Sequence, residues 1–244
     1  LLVDKTVSLI GENQTTTIID GNKKWRGVTI VVIAHNVNIS GFTIQNGFWE
    51  GILIGANSCN ISRNIITNNL EGVVLCGSNY IITENIITQN DYGITVLGGG
   101  KIFHNDFIDN DYQVGTNSES VWDNGYPSGG NYWSNYAGLD LRHGPHQNET
   151  GSDGIGDTPC VIDKDNQDNY PLMSPYWYWI NPTLGDTDRD GDVDSEDLLF
   201  AIAPAYGRRM GEPLYNPACD FDKDNDVDSW DLFTLAANYG RKAF

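Results

Sequence analysis

Apolar and polar positions alternate along short segments in the first half of the chain. Apolar residues stand two positions apart in three successive runs: Ile52/Ile54, Val73/Leu75 and Ile94/Val96. A period of two is typical of β-strands, and the Gly and Asn residues between these runs are typical of turns. The pattern therefore predicts short strands, and we find no helical period in this half of the sequence.

The alternating runs belong to an internal repeat of about 21 residues. Three residue positions recur at nearly equal steps: Gly51, Gly72 and Gly93; Ile39, Ile61, Ile82 and Ile102; and Phe42, Asn64, Asn85 and Asn105. A repeat of this length with strands and no helix predicts one coil of a parallel β-helix. We expect about five or six coils, in which the three asparagines stack as an inward amide ladder. A β-sandwich is the alternative, but it does not explain why several positions share one period.

Two segments after the repeat carry a family resemblance. They read WDNGYPSGGNYWSNYAG (Trp122–Gly138) and GSDGIGDTPCVIDKDNQDNYPLM (Gly151–Met173). Together with the repeat, residues 1–175 resemble the NosD-like, pectin-lyase-like β-helix proteins that are common among archaeal surface proteins. The resemblance implies a right-handed parallel β-helix closed by these segments, and family names imply copper delivery or sugar binding. One fold hosts many functions, so the function must be argued from the site.

Aromatic residues concentrate near the end of the predicted β-helix domain. We place this domain at residues 1–180, with a C-terminal cap at about 118–180. Trp122, Trp133 and the run 176–179 form two aromatic groups within the cap. The rings either plug the end of the β-helix or form a platform for a polysaccharide, because aromatic faces stack on sugar rings.

The chain is acidic, with 33 Asp and Glu residues against 14 Lys and Arg and a net charge of -19. Nucleic acid needs clustered Lys and Arg, so this composition argues against a nucleic-acid partner. It favours hard cations, which take oxygen ligands. No apolar run reaches the roughly 18 residues of a membrane span. The chain starts at Leu1 inside strand-like sequence, which indicates a processed or incomplete product.

Residues 181–244 hold two copies of an Asp-rich pattern. Carboxylates at positions 1, 3, 5 and 12 of a 12-residue loop, with a turn residue at position 6, are typical of a calcium loop. The predicted ligands are Asp186, Asp188, Asp190, Asp192, Asp194 and Asp197 in the first copy, and Asp220, Asp222, Asp224, Asp226, Asp228 and Asp231 in the second. In the cap, Asp153 and Asp157 are candidates for one more calcium ion, with a solvated acidic loop as the alternative. We therefore expect calcium as the cofactor.

Each Asp-rich loop runs into an apolar segment that predicts a helix, the first ending at Gly207 and the second at Gly240. Asp at the twelfth position and the lack of a helix before the loop resemble a dockerin. The resemblance implies a small α-helical domain that binds a protein partner. Asn225 stands at the sixth position of the second loop. The partner-reading positions also differ between the copies, Ser195-Glu196 against Ser229-Trp230, so two equivalent faces are in question.

Three classes of function compete. A hydrolase needs an acid–base pair of carboxylates, and we find no outward pair on neighbouring coils. We therefore assign no catalytic residue and expect the protein not to be an enzyme. Copper would need clustered His or Met. The chain has four dispersed histidines, His35, His104, His143 and His146. We predict an extracellular, cell-surface, calcium-binding structural or assembly protein. A carbohydrate-binding module or a polysaccharide lyase or hydrolase is the alternative.

The remaining features concern partners and modification. The strand-like start at Leu1 shows no polar cap, so we expect head-to-tail self-association into filaments, besides a protein partner of the dockerin-like domain. The four cysteines are either free thiols or include a Cys160–Cys219 bridge. Four sequons support a secreted glycoprotein: Asn13, Asn38, Asn60 and Asn148.

Overall fold

The computed structural model describes residues 1–176 without a gap. Beyond them it describes Thr187, Val193, Ser195, 197–216, 219–221 and 225–239. Two compact units make up the chain, Leu1–Trp177 and Tyr178–Phe244.

The first unit is a parallel β-helix of about five turns, as the repeat predicts. Each turn contributes one short strand to each of three parallel sheets. Sheet A contains β1 (Leu2–Val3), β4 (Ile30–Val32), β7 (Glu50–Ile54), β10 (Glu71–Leu75), β13 (Tyr92–Val96) and β16 (Tyr112–Thr116). Sheet B contains β2 (Ser8–Ile10), β5 (Asn38–Ser40), β8 (Asn60–Ser62), β11 (Tyr80–Thr83) and β14 (Gly100–Phe103). Sheet C contains β3 (Ile18–Asp20), β6 (Thr43–Gln45), β9 (Ile65–Thr67), β12 (Ile86–Thr88), β15 (Asp106–Ile108) and β17 (Tyr132–Trp133).

The repeated apolar residues form the core of the coils. Val73 is paired in register with Ile52 on one side and Ile94 on the other. All three side chains are fully buried. Burying a side chain of this size contributes roughly 1.5–3 kcal/mol before the entropy of folding is counted. The apolar residues that alternate within each repeat are therefore the ones whose side chains point into the β-helix.

The repeated glycines stand where the backbones of successive coils approach closely. A Cβ atom added at Gly72 would lie 2.5 Å from the carbonyl oxygen of Gly93, and the same contact recurs at Gly51 and Gly93. These distances are shorter than a carbon–oxygen contact allows. The glycines are therefore required by the stacking of the backbone.

The predicted amide ladder is confirmed. Asn64, Asn85 and Asn105 are buried, and each side-chain Nδ2 donates to the Oδ1 of the asparagine on the next coil over 2.9–3.1 Å. The ladder continues to Asn131, which accepts from Asn105. A second ladder of the same kind, which we did not predict, runs through Asn69, Asn90 and Asn110. Buried amides of this kind are stable because almost every donor and acceptor is paired.

Two antiparallel hairpins follow the coils. They are formed by β18 (Arg142–His143) with β19 (Glu149–Thr150), and by β20 (Cys160–Val161) with β21 (Gln167–Asp168). They belong to the segment that the sequence predicts as a cap.

The second unit has its own small core. A π-helix over Asp197–Ile202 continues into α1 (Ala203–Ala205), and α2 covers Ser229–Asn238. Gly207 follows α1 with a φ of 75°, in the left-handed region that ends helices. The first apolar segment is thus mostly π-helix where the sequence predicts a regular helix. The dockerin-like pairing of two loop–helix copies stays a prediction.

None of the helices in the described part of the chain has the length and apolar character needed to cross a membrane.

Candidate functional site

Two tryptophans of the cap close the end of the coils. The ring of Trp133 stacks on that of Phe107 with centroids 4.5 Å apart, and Trp122 lies 5.9 Å from Trp133. Trp122 is 1% exposed and Trp133 is 3% exposed. For these two rings the plug interpretation is confirmed, because buried rings cannot stack on a sugar.

The cap is fastened to these rings by hydrogen bonds from their indole nitrogens. Trp122 Nε1 donates to Asn166 Oδ1 over 3.0 Å, and Trp133 Nε1 donates to Asp168 Oδ2 over 2.9 Å. Asp168 is fully buried. Burial raises the pKa of Asp168 to about 7, against the lowering effect of its N–H donors. The loop around 163–168 is therefore held firmly against the last coil, which comprises β14–β16.

A cavity of ≈ 750 Å³ opens on the outer face of sheet B at the last coil. Lys101 is one of its lining residues and is in register with Ile81 on one side and Val121 on the other. Ile81 and Val121 are 41% and 49% exposed. The cavity thus offers two apolar patches on either side of a Lys stem.

A second cavity, of ≈ 820 Å³, lies beside the first and shares Glu119 with it. Its walls come from the segment 116–119 and from the cap loop 163–166. Hydroxyl, amide and charged groups line it. The two cavities together form what we call the cap groove, the residues from 78 to 81, 99 to 101, 116 to 121 and 163 to 166 that line them.

Ser120 connects the two parts of the cap groove. Its backbone N–H donates to Asn166 Oδ1 over 3.0 Å, and its Oγ lies 3.2 Å from the phenol oxygen of Tyr80. A Cβ atom added at Gly100 would lie 2.4 Å from the ring of Tyr80. The shape of the cap groove therefore depends on a glycine at position 100 and on the buried Tyr80 ring.

The structure corrects our expectation that no outward carboxylates pair on neighbouring coils. Glu50 and Glu71 are in register on β7 and β10 of sheet A. Glu71 Oε1 accepts a hydrogen bond from Thr95 Oγ1 over 3.1 Å. Burial, and then the charge of Glu71, raise the pKa of Glu50. The recurrence of Glu just before Gly51 and Gly72 was the signal that could have revealed this pair.

In the cap, the structure places Asp153 and Asp157 around a third carboxylate that we did not predict, Asp140. Burial raises the pKa of Asp140, and the charges of Asp153 and Asp157 add to the rise. Backbone N–H groups occupy these carboxylates: Asp157 accepts from Leu141 and Arg142, and Asp153 accepts from Ile155. Backbone N–H groups therefore stabilise part of the negative charge for which the sequence predicts a calcium ion.

Five of the predicted ligands in the second unit are described, and four of them accept local hydrogen bonds. Asp197 accepts from Thr187, and Asp231 accepts from the backbone of Phe221 and Asp228. Asp228 caps α2 by accepting from Trp230, Asp220 accepts from Tyr215, and Asp226 lies 3.7 Å from Arg209. The other seven lie outside the described residues: Asp186, Asp188, Asp190, Asp192, Asp194, Asp222 and Asp224.

Comparison with known families assigns the coils. Residues 7–138, more than half of the chain, match the family model described as "Periplasmic copper-binding protein (NosD)". The chain belongs to the NosD family. No curated protein and no solved structure matches it significantly.

The prediction of calcium as the cofactor is wrong. The NosD family model describes a copper-binding protein, not a calcium-binding one. Within the described residues, no three His, Cys, Asp or Glu side chains come together in a way that could hold a metal ion. The physical reason is visible at Asp157 and Asp231, whose oxygens are turned onto backbone N–H groups.

The described residues do not fit copper either. Copper favours imidazole and sulfur ligands, and every His, Cys and Met of the chain lies in the described part. His35 Nδ1 already accepts from the backbone of Asn57, and His104 stacks on Tyr176 while its Nε2 contacts Ser128. His143 lies 3.8 Å from the carboxylate of Glu149. These side chains are dispersed over the β-helix and its cap.

The cysteines are free thiols and offer no better set of ligands. Copper is bound by the thiolate, so a high pKa weakens a cysteine as a ligand. Burial raises the pKa of Cys160 to about 11 and that of Cys219 to about 12. Cys59 is buried in the core of the coils.

Proposed function

We propose that this NosD-family protein is extracytoplasmic and binds a neutral polysaccharide in the cap groove without catalysis. The observation that carries the proposal is that two cavities of ≈ 750 and ≈ 820 Å³ adjoin at Glu119. Ligand sites are concave and combine apolar surface with a few polar groups. The matched family is described as periplasmic, which supports an extracytoplasmic location.

The chemistry of the cap groove suits a sugar chain. Ile81 and Val121 offer apolar contact to the C–H face of a sugar ring, and Lys101 between them offers three N–H donors to hydroxyl groups. Lys101 makes no salt bridge within the described residues. Its donors are therefore available for a ligand.

Charge decides between neutral and acidic polysaccharides. The chain carries a net charge of -19, and the cap groove holds Glu119, Asp163 and Asp165 against Lys101 and Lys164. An acidic polymer would meet long-range repulsion, which weakens only as salt screens it. A neutral polymer meets none, so we place it first.

The absence of catalysis is part of the proposal. Hydrolysis of a glycosidic bond uses two carboxyl groups placed on either side of it. In the cap groove, Asp163 accepts from Asn166 and Asp165 contacts Lys164, which leaves Glu119 as the carboxylate best placed to meet a ligand. The paired Glu50 and Glu71 belong to sheet A, a different face of the coils.

Affinity electrophoresis of the full chain through gels that contain single polysaccharides tests this function. We expect retardation in at least one neutral polysaccharide and little in acidic ones at low salt. Lys101→Ala should restore free mobility, while Lys24→Ala, an exposed Lys outside the groove, should not. Retardation by acidic polymers alone, or release of reducing sugar during the run, would overturn the proposal.

A second candidate function, docking to another protein, is favoured by one face of α2. Trp230 and Phe233 are both 68% exposed, and their ring centroids lie 6.4 Å apart. Leu235 and Asp231 of the same helix are buried. Two exposed rings side by side form a small apolar patch, and aromatic residues are enriched at protein interfaces.

The partner that fits this face has an apolar pocket with a basic rim. Residues 185–244 hold 14 acidic and 6 basic side chains, a net charge of -8, so a basic surface is attracted and a second copy of this unit is repelled. An extracytoplasmic protein captured by the full chain would be purified and titrated against it. We expect Trp230→Ala/Phe233→Ala to abolish binding and added salt to weaken it. If the double variant bound the partner as tightly as the natural chain, docking through this face would be ruled out.

A further inference from the structure

The four sequons of the chain lie in two different structural settings. Asn38 and Asn60 are strand residues of sheet B, whereas Asn13 and Asn148 lie in connections between strands. An oligosaccharide transferase must take the Asn-X-Ser/Thr segment into its own active site. Accessible surface loops are therefore the usual acceptors in a folded protein.

The two strand sequons are held in the sheet. Asn38 is paired with Ser8 and Asn60, and the backbone N–H of Asn60 donates to the carbonyl of Val37 over 2.9 Å. The middle residues of these sequons, Ile39 and Ile61, are fully buried. Presenting either sequon to a transferase would pull an isoleucine from the core and break the pairing of a coil.

Asn13 and Thr15 are exposed in the connection between β2 and β3, and the polar Gln14 between them is buried but belongs to no strand. The sequon already forms a turn. Asn13 Oδ1 accepts from the backbone N–H of Thr15 over 2.8 Å and from Thr15 Oγ1 over 2.7 Å. The Nδ2 group makes no hydrogen bond within the described residues. The hydroxyl of the sequon and the acceptor amide are thus in contact, while the nitrogen that would be modified is free.

Asn148 occupies a comparable position at the end of a hairpin. It precedes β19, where Thr150 is paired with Arg142 of β18. Asn148, Glu149 and Thr150 are all exposed. The middle residue of this sequon is charged and solvent-facing, so presenting it removes nothing from the core.

We infer that Asn13 and Asn148 are N-glycosylation sites of the folded protein and that Asn38 and Asn60 are not. In the transfer, a bond forms between Nδ2 and the anomeric carbon of a lipid-linked oligosaccharide. The bond from that carbon to the lipid phosphate breaks, the phosphate leaves with the bonding electrons, and the transferase takes the amide proton. This inference is independent of the proposed cap groove, because neither asparagine lines it.

Transfer to the unmodified, folded full chain by an oligosaccharide transferase specific for Asn-X-Ser/Thr tests the inference. The products are read by intact mass and by mapping of glycopeptides. Four synthetic peptides, one for each sequon, show what the transferase accepts when no fold protects the site. Thermal melting verifies that Asn13→Gln and Asn148→Gln variants are folded.

We expect the folded chain to gain two glycans, at Asn13 and Asn148, and each single Gln variant to gain one. The double variant should gain none, although the Asn38 and Asn60 peptides are modified. Transfer to Asn38 or Asn60 of the folded chain would overturn the inference. It would also fail if the folded chain stayed unmodified, whether or not the Asn13 and Asn148 peptides were modified.

Discussion

Asn131 donates its backbone N–H to Oδ2 of Asp168 over 2.7 Å. On each earlier coil the same bond goes to the amide oxygen of the next asparagine, as from Asn85 to Asn105 over 3.2 Å. A carboxylate from the cap therefore takes the place of the next rung. The end of the ladder and the closure of the β-helix are one structure.

Asp168→Asn changes the pH dependence of stability. The pKa of Asp168 in the folded chain, about 7, lies above that of an unfolded Asp, roughly 3.9. The unfolded state therefore releases its proton first, and the contribution to stability is present below about pH 4 and lost as pH rises to 7. Between pH 4 and pH 8 we expect the free energy of unfolding of the variant to rise, relative to that of the natural chain, by up to about 4 kcal/mol.

Urea unfolding at several pH values measures this difference. Asp168→Ala is the matched control, because it leaves the N–H groups of Asn131, Trp133 and Tyr170 without an acceptor. It should destabilise at every pH by several kcal/mol, since each unsatisfied buried donor costs about 1–3 kcal/mol. A constant difference between Asp168→Asn and the natural chain would contradict the account.

Glu50→Gln should stabilise the β-helix above the ordinary pKa range of Glu. The raised pKa of Glu50 means that stability is lost as pH rises through it, because a partly buried charge faces Glu71. We expect a gain of roughly 0.5–1 kcal/mol at pH 8, typical of removing like charges that face each other across strands.

The control for Glu50 is Glu84→Gln. Glu84 lies on the coil of Glu71 and forms an ion pair with Arg63 on the coil of Glu50, with Nε and Oε2 2.6 Å apart. This variant should lose up to about 1 kcal/mol, the size of an exposed ion pair. Denaturant titration at pH 4 and pH 8 compares the two, and a loss of stability in Glu50→Gln at pH 8 would count against like-charge repulsion.

Copper should not bind the chain at a defined site. The imidazole and sulfur side chains are dispersed, and no three potential ligands come together in the described residues. Calorimetric titration with Cu²⁺, together with metal analysis after desalting, should show no retained ion. One retained ion per chain that is lost in His143→Ala/His146→Ala would show that the family description applies here.

The repeat made the coils and one ladder predictable, because Ile61, Asn64 and their counterparts recur at the pitch of a coil. The second ladder has the same signal, because Asn69 and Asn90 are also one repeat apart. The capping of the ladder by Asp168 has no such signal, since 37 residues separate it from Asn131. A contact between a coil and an irregular loop depends on how that loop folds back.

The cap groove was not predictable for the same reason. Lys101 belongs to the repeat. Ser120 and Asn166, which also line the cap groove, lie in segments that do not follow the repeat. The calcium prediction, which is wrong for the cofactor, depends on a pattern of Asp residues that has more than one structural use. Asp228 and Asp231 form a capping box at the start of α2, and short acidic sequences occur both in helix caps and in metal-binding loops.

Hydrogen exchange with and without a saturating neutral polysaccharide fragment tests the cap groove most directly. We expect slower exchange in the peptides that cover 99–101, 116–121 and 163–166, with the rest of the coils unchanged. Lys101→Ala should remove this protection while the free protein exchanges as before. Protection confined to sheet A, or none at saturating ligand, would contradict binding in the cap groove.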